Sequence, residues 1–228
     1  MTVLVIGGTA RARTLASRLA RSQTVIYALA GVTRNPRLPA GCEIRQGPFG
    51  GVEGLCRFLK SAGVRQIVDG SHPHATGISA NAQAAAARHG IPCARLRWRP
   101  WRPDHGDRWR QFGDPRALVA ALAARAPSRV LLTLGARAST PVIAVAGHRF
   151  WLRSIEAPDT AAAASPVDVI RARGPFDEAD EHALLQRLGI DLLVCKNSGL
   201  REGRAKLTAA RALGIEVWLL QATPSVAR

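Results

Sequence analysis

"VLVIGG", Val3 to Gly8, and "VLLTLGA", Val130 to Ala136, are apolar runs that end in a glycine turn, and they stand 127 residues apart. The same 127-residue spacing relates "GPFGGVEGL" from Gly47 to "GPFDEADEH" from Gly174. "GVRQIVDGSH" from Gly63 matches "GIDLLVCKNS" from Gly189 at a spacing of 126, and "AAAARHGIPCARL" matches "TAARALGIEVWLL" at 124. Four matches in one order at nearly constant spacing read as a single unit written twice.

Within each copy, short apolar runs alternate with helical patterns, the signature of βαβ units and a parallel sheet buried on both faces. Strands are expected near 3–6, 24–29, 43–46, 66–69 and 92–96, then 129–134, 142–146 or 149–152, 167–170, 191–195 and 215–220. Helices are expected near 10–21, 51–61, 77–89, 115–125, 177–187 and 204–213. The fold class is therefore α/β: two similar Rossmann-like domains, residues 1–97 and 98–228, each with a parallel five-stranded sheet. The join falls in "RWRPWRPDHGD", residues 97–107, whose prolines and tryptophans suit an ordered linker. Both copies end in a similar strand, so the sequence leaves open which sheet each one completes, and exchange of terminal strands between the domains is among the arrangements it allows.

At 228 residues and 47% apolar composition, the chain can bury a substantial core. "TVLVIGG" after Met1 lacks a basic leader, and no apolar run approaches the roughly 20 residues of a membrane span, so a cytoplasmic protein without membrane contact is expected. Cys42, Cys56, Cys93 and Cys195 form no CxxC pair, which argues against a zinc ribbon or a disulfide framework. The formal charge of +16 calls for an anionic partner or an explanation, part of which is the arginine-rich composition that a GC-rich coding bias produces. It comes almost wholly from arginine and is spread evenly: residues 1–96 hold 12 basic and 3 acidic groups, and residues 97–228 hold 20 and 13. With no basic arm, a positive cleft for a small polyanion is a better reading than nucleic acid.

Ligands of doubly wound sheets bind beyond the carboxyl ends of the strands. The first such loop, Gly7, Gly8, Thr9 and Ala10, offers a tight turn, a hydroxyl and a helix N-terminus to a phosphate. The second, from Gly31 to Pro39, sits where a dinucleotide fold meets the adenosine ribose. It holds Thr33 and Arg34 and no acid, which favours NADPH over NADH. Phe49, followed by Gly50, offers a flat face to a planar ligand. "DGSHPHA" could bind zinc through His72 and His74, but the remaining histidines are scattered, so no metal is expected. The loop reads better as a cofactor-side turn made of Gly70, Ser71, His72 and Pro73. In the second copy, Lys196, Asn197, Ser198 and Gly199 follow the matching strand, with Arg204 and Lys206 beyond. Together with Arg137 they suit carboxylate recognition.

The series "VLVIGGTA", "LAGVTR", "GPFGGVEGL", "VDGSHPHATGISANA", "TLGAR", "RGPF" and "VCKNSG…AKLTAARALGI" resembles the precorrin-6A reductases of cobalamin biosynthesis over nearly the whole chain. The resemblance implies an NADPH-dependent oxidoreductase that converts precorrin-6A to precorrin-6B, with the polycarboxylate tetrapyrrole in a basic cleft between the two domains. By position it places Gly7 to Thr9 on the pyrophosphate, Thr33 and Arg34 near the 2′-phosphate, Ser71 to Pro73 beside the nicotinamide, and Lys196 to Gly199 toward the macrocycle. His72 and Lys196 are candidate proton donors by position, and solvent is a third. The chain departs from the family pattern at Ala10 and Arg11, at His74 where an aromatic residue is common, and at Leu200 where a second glycine is usual. A monomer or weak oligomer is expected. The rival readings are a non-catalytic nucleotide or nucleic-acid binding protein, for which the Arg/Trp-rich "RLRWRPWRP" would provide stacking surfaces, and an NADPH reductase of another anionic substrate.

Overall fold

The computed structural model describes residues 1–31, 36–155 and 160–222. The chain forms two compact units, one from Met1 to Arg97 and one beginning at Trp98.

The first unit runs β1 (Thr2–Ile6), α1 (Ala10–Leu19), β2 (Thr24–Leu29), β3 (Glu43–Gln46), α2 (Gly51–Ser61), β4 (Val64–Asp69), α3 (Thr76–His89) and β5 (Cys93–Arg95). Its five strands are all parallel, in the order β3-β2-β1-β4-β5. β1 is apolar throughout because both its faces are covered. Leu4 and Ile6 pack with Leu55 and Leu59 of α2, while Val3 and Val5 pack with Ala12 and Ala16 of α1. Since β1 lies between β2 and β4, the chain leaves it on opposite sides, and the loops beyond its carboxyl end diverge to open a crevice.

The second unit runs β6 (Trp109–Phe112), α4 (Pro115–Ala123), β7 (Arg129–Thr133), α5 (Ala136–Ile143), β8 (Arg149–Ser154), β9 (Val167–Arg171), α6 (Glu178–Arg187), β10 (Leu192–Asn197), a 3₁₀ turn (Arg201–Gly203), α7 (Ala205–Ala212) and β11 (Glu216–Gln221). Two of its helices start at side-chain caps. Asp114 caps α4 ahead of Pro115, and Asp177 caps α6, whose first turn is acidic.

Two features differ from the sequence expectation, and one question that it left open is answered. The second sheet has six parallel strands, not five, in the order β6-β11-β10-β7-β8-β9. The added strand, "WRQF", has two exposed polar residues at its centre and so shows no apolar run. Of the two placements considered after β7, the strand is β8, while Val142 and Ile143 close the unanticipated helix α5, which carries Pro141 inside it. Each final strand completes its own sheet, β5 beside β4 and β11 beside β10, so these strands are not exchanged. Among the described residues no helix is long and apolar enough to cross a membrane.

Candidate active site

Beyond the carboxyl ends of β1 to β4 the first unit encloses a cavity of about 580 Å³, within the range of small-molecule sites. Gly7, Gly8, Phe49, Gly50, Ser71 and His72 all line it. Among the described residues of its wall none is acidic. A β-carbon added to Gly8, Gly47, Gly50 or Gly51 would meet no protein atom within 4 Å, so bare backbone fronts open space along this wall. That is the cradle a flat, phosphate-bearing nucleotide requires.

The glycine turn is anchored from beneath. A β-carbon on Gly7 would lie 2.2 Å from the Tyr27 ring, so only glycine fits there. Gly7 donates its amide to the Ala28 carbonyl at 2.8 Å, and Gly8 donates to the Tyr27 hydroxyl at 3.3 Å. Burial raises the Tyr27 pKa and keeps the phenol neutral. Thr9 serves structure with its side chain: its hydroxyl donates to Gly70 O at 2.7 Å and accepts from the Ala12 amide at 3.2 Å. The groups left to meet an anion are the first-turn amides of α1, at Ala10 and Arg11. Thr33 and Arg34 lie outside the described residues.

The "DGSHPHA" loop is clamped at both ends. The buried Asp69 carboxylate accepts from the Ser71 amide at 3.1 Å and pairs with Arg95 Nε at 3.3 Å. Arg95 also donates to Pro73 O at 3.4 Å. Gly70 is pressed against α1, since a β-carbon there would approach Ala12 Cβ to 2.4 Å. His72 Nδ1 accepts from the His74 amide at 3.2 Å, which in the neutral ring leaves the proton on Nε2. Phe49 keeps only part of its surface for a ligand, because the Arg45 guanidinium lies 3.9 Å from its ring centre.

In the second unit the structure separates residues that the sequence groups. Lys196 runs toward the turn that starts α5: a β-carbon on Gly135 would lie 4.0 Å from its ammonium. Arg137 stands exposed on the first turn of that helix. Burial lowers the Lys196 pKa. The other members hold the linker. Asn197 accepts from the Trp101 amide at 2.8 Å and donates to its carbonyl at 3.2 Å. Gly199 lies so close that a β-carbon would sit 1.9 Å from Arg99 O. Ser198 is buried and accepts from the Leu200 amide. Arg204 pairs with Asp104 at 2.6 Å. Lys206 donates to Gly203 O at 2.9 Å and lies 5.6 Å from the Trp101 ring. A further hollow of about 670 Å³ lies against α6 and β9, where the charges of Arg153 and Glu181 neutralise each other. The loops with nucleotide-binding geometry converge on the first-unit cavity instead.

The family described as "Precorrin-6x reductase CbiJ/CobK" matches residues 2–227. The chain belongs to this family. It is 42% identical to the precorrin-6A reductase of Rhodococcus erythropolis over 97% of this chain and 89% of that one. It is 40% identical to that of Mycobacterium tuberculosis (strain ATCC 25618 / H37Rv) over 96% and 87%. A solved "CobK precorrin-6A reductase" superposes with a TM-score of 0.90 at 36% identity, covering all of this chain and 90% of that one. In this CbiJ/CobK chain, sequence reasoning passed over Tyr27, Asp69, Arg95 and Asn81. The first three face inward and show no motif of their own. Asn81 had a signal, being an amide in the alanine-rich run of α3, and it lines the cavity.

Proposed function

We propose that the chain catalyses the NADPH-dependent reduction of precorrin-6A to precorrin-6B in cobalamin biosynthesis. The observation that carries this reading is a nucleotide-sized cavity fronted by bare glycine backbone, with no acidic residue in its described wall, in a chain of the CbiJ/CobK family. The absence of any acid from Gly31 to Pro39 and the presence of Arg34 support NADPH over NADH. The formal charge of +16 suits a substrate bearing several carboxylates.

In this mechanism the first-turn amides of α1 receive the pyrophosphate and Thr33 and Arg34 take the 2′-phosphate. The clamped loop from Gly70 to Pro73 sets the position of the reacting ring. When bound, the cofactor supplies the hydride. The protein's contribution is orientation. Lys196 and Arg137 hold substrate carboxylates. The reduction also consumes a proton, for which His72 Nε2 and the Lys196 ammonium are the proposed donors. Burial of Lys196 makes its proton easier to release.

Calorimetric titration with NADPH and NADH at moderate salt, followed by turnover of precorrin-6A, tests the reading. NADPH is expected to bind more tightly, with the preference falling in Arg34→Ala. Equal affinity for both cofactors would overturn the cofactor assignment, and absence of turnover would overturn the activity.

A further inference from the structure

Asn81 sits on α3, the helix that follows β4, and its half-buried side chain lines the first-unit cavity together with Ser71, His72 and Ile78. Its neighbours in "ANAQAAAA" are nearly all alanine. Within a helix asparagine is less favourable than alanine, and here no hydrogen bond to protein compensates: among the described residues the Asn81 side-chain amide has no partner. On the β4 side of this wall the other polar side chains are engaged. The Ser71 hydroxyl meets Ser79 Oγ at 3.3 Å, and His72 Nδ1 accepts from the His74 amide. Asn81 thus brings an uncommitted donor and acceptor to the β4 side of the crevice.

Topology says which half of a dinucleotide lies there. In this strand order the loop after β2 faces the adenosine ribose and the helix after β1 receives the pyrophosphate, so the nicotinamide extends toward β4. The nicotinamide ring carries a primary carboxamide, whose carbonyl and NH₂ are complementary to those of asparagine. We infer that Asn81 recognises this carboxamide, and that the two-point contact fixes which face of the ring is offered to the substrate. The inference rests on the NADPH reading of the cavity.

The test compares three ligands on the wild-type protein, Asn81→Ala and the isosteric Asn81→Asp. They are NADP⁺, its analogue with a 3-acetylpyridine ring in place of the carboxamide-bearing ring, and 2′-phospho-ADP-ribose, which lacks the ring. Both variants are expected to bind NADP⁺ about 3- to 10-fold more weakly, the value of one or two hydrogen bonds, and to keep wild-type affinity for 2′-phospho-ADP-ribose. Wild type should favour NADP⁺ over the acetylpyridine analogue, and Asn81→Ala should lose that preference. Equal weakening toward NADP⁺ and the ring-less fragment, or an unchanged preference for the carboxamide, overturns the assignment. If wild type binds neither NADP⁺ nor the fragment, the cofactor reading itself fails, an outcome distinct from the other two.

Discussion

Gly7 and Lys196 are tested by opposite kinds of constraint. At Gly7 the limit is steric: the Tyr27 ring occupies the place of a side chain, and the same phenol accepts the Gly8 amide, so the turn is braced from beneath. At Lys196 the limit is electrostatic. Burial disfavours the ammonium and moves its pKa below the usual 10.5. A lysine acting as proton donor must be charged, so its contribution is complete at pH values below that lowered pKa and is lost as pH rises through it. The kcat of precorrin-6A reduction is expected to fall on the alkaline side with a midpoint below 10.5, and Lys196→Ala should lower kcat and abolish that limb. If Lys196 only anchors a carboxylate, the limb will appear in KM while kcat stays flat. pH profiles of both constants separate the two roles.

At the scale of elements, the linker and the "KNSG" turn form one structure. Asn197 satisfies both backbone groups of buried Trp101, Gly199 lets the Arg99 carbonyl approach, and Asp104 and Asp107 pair with Arg204 and Arg211 of the α7 segment. Replacing Asn197 with alanine strands a buried N–H and C=O, which should cost about 2 to 4 kcal/mol. Urea unfolding should show that loss, while NADPH affinity changes by less than about twofold because the first-unit cavity is untouched. This cluster also shows where sequence reading stops. Basic residues after a strand read equally well as ligand contacts or as partners of the linker acids, and only the chain path, which sets Asp104 beside Arg204, decides between them. The strands legible in advance were those with continuous apolar runs, such as β1 and β10, whereas β6 hides because two adjacent solvent-facing residues, Arg110 and Gln111, fill its centre. The glycine turn and the "SHPH" loop were legible from local chemistry as loops beyond strand ends, and Gly7, Gly8, Ser71 and His72 line the first-unit cavity. The Asp69–Arg95 clamp was not, since it joins β4 to β5 across a helix.

For the whole molecule, the duplication raises the question of how many cofactors one chain binds. The registers align the two units: Val5 pairs with Tyr27 and Val68 in the first sheet, as Leu132 pairs with Leu152 and Val194 in the second. Two residues beyond Val5, Gly7 corresponds to Leu134, and one residue beyond Tyr27, Ala28, which lines the first cavity, corresponds to Arg153. Leu134 is fully buried, whereas the corresponding Gly7 carries no side chain and lies against the Tyr27 ring. Arg153 is locked to Glu181 by two hydrogen bonds of 2.8 and 2.9 Å, with the Phe176 ring 4.1 Å from its guanidinium. A nucleotide there would have to part a buried, bidentate ion pair, which costs about 3 to 5 kcal/mol. The second unit therefore keeps the topology of a dinucleotide fold but holds a buried ion pair at the counterpart of Ala28. Calorimetry should find one NADPH per chain, and a bulky replacement at Gly7, such as Gly7→Val, should abolish that binding entirely. A stoichiometry of two, or residual binding in the Gly7 variant, would mean that the second unit still accepts a nucleotide despite the pair at Arg153.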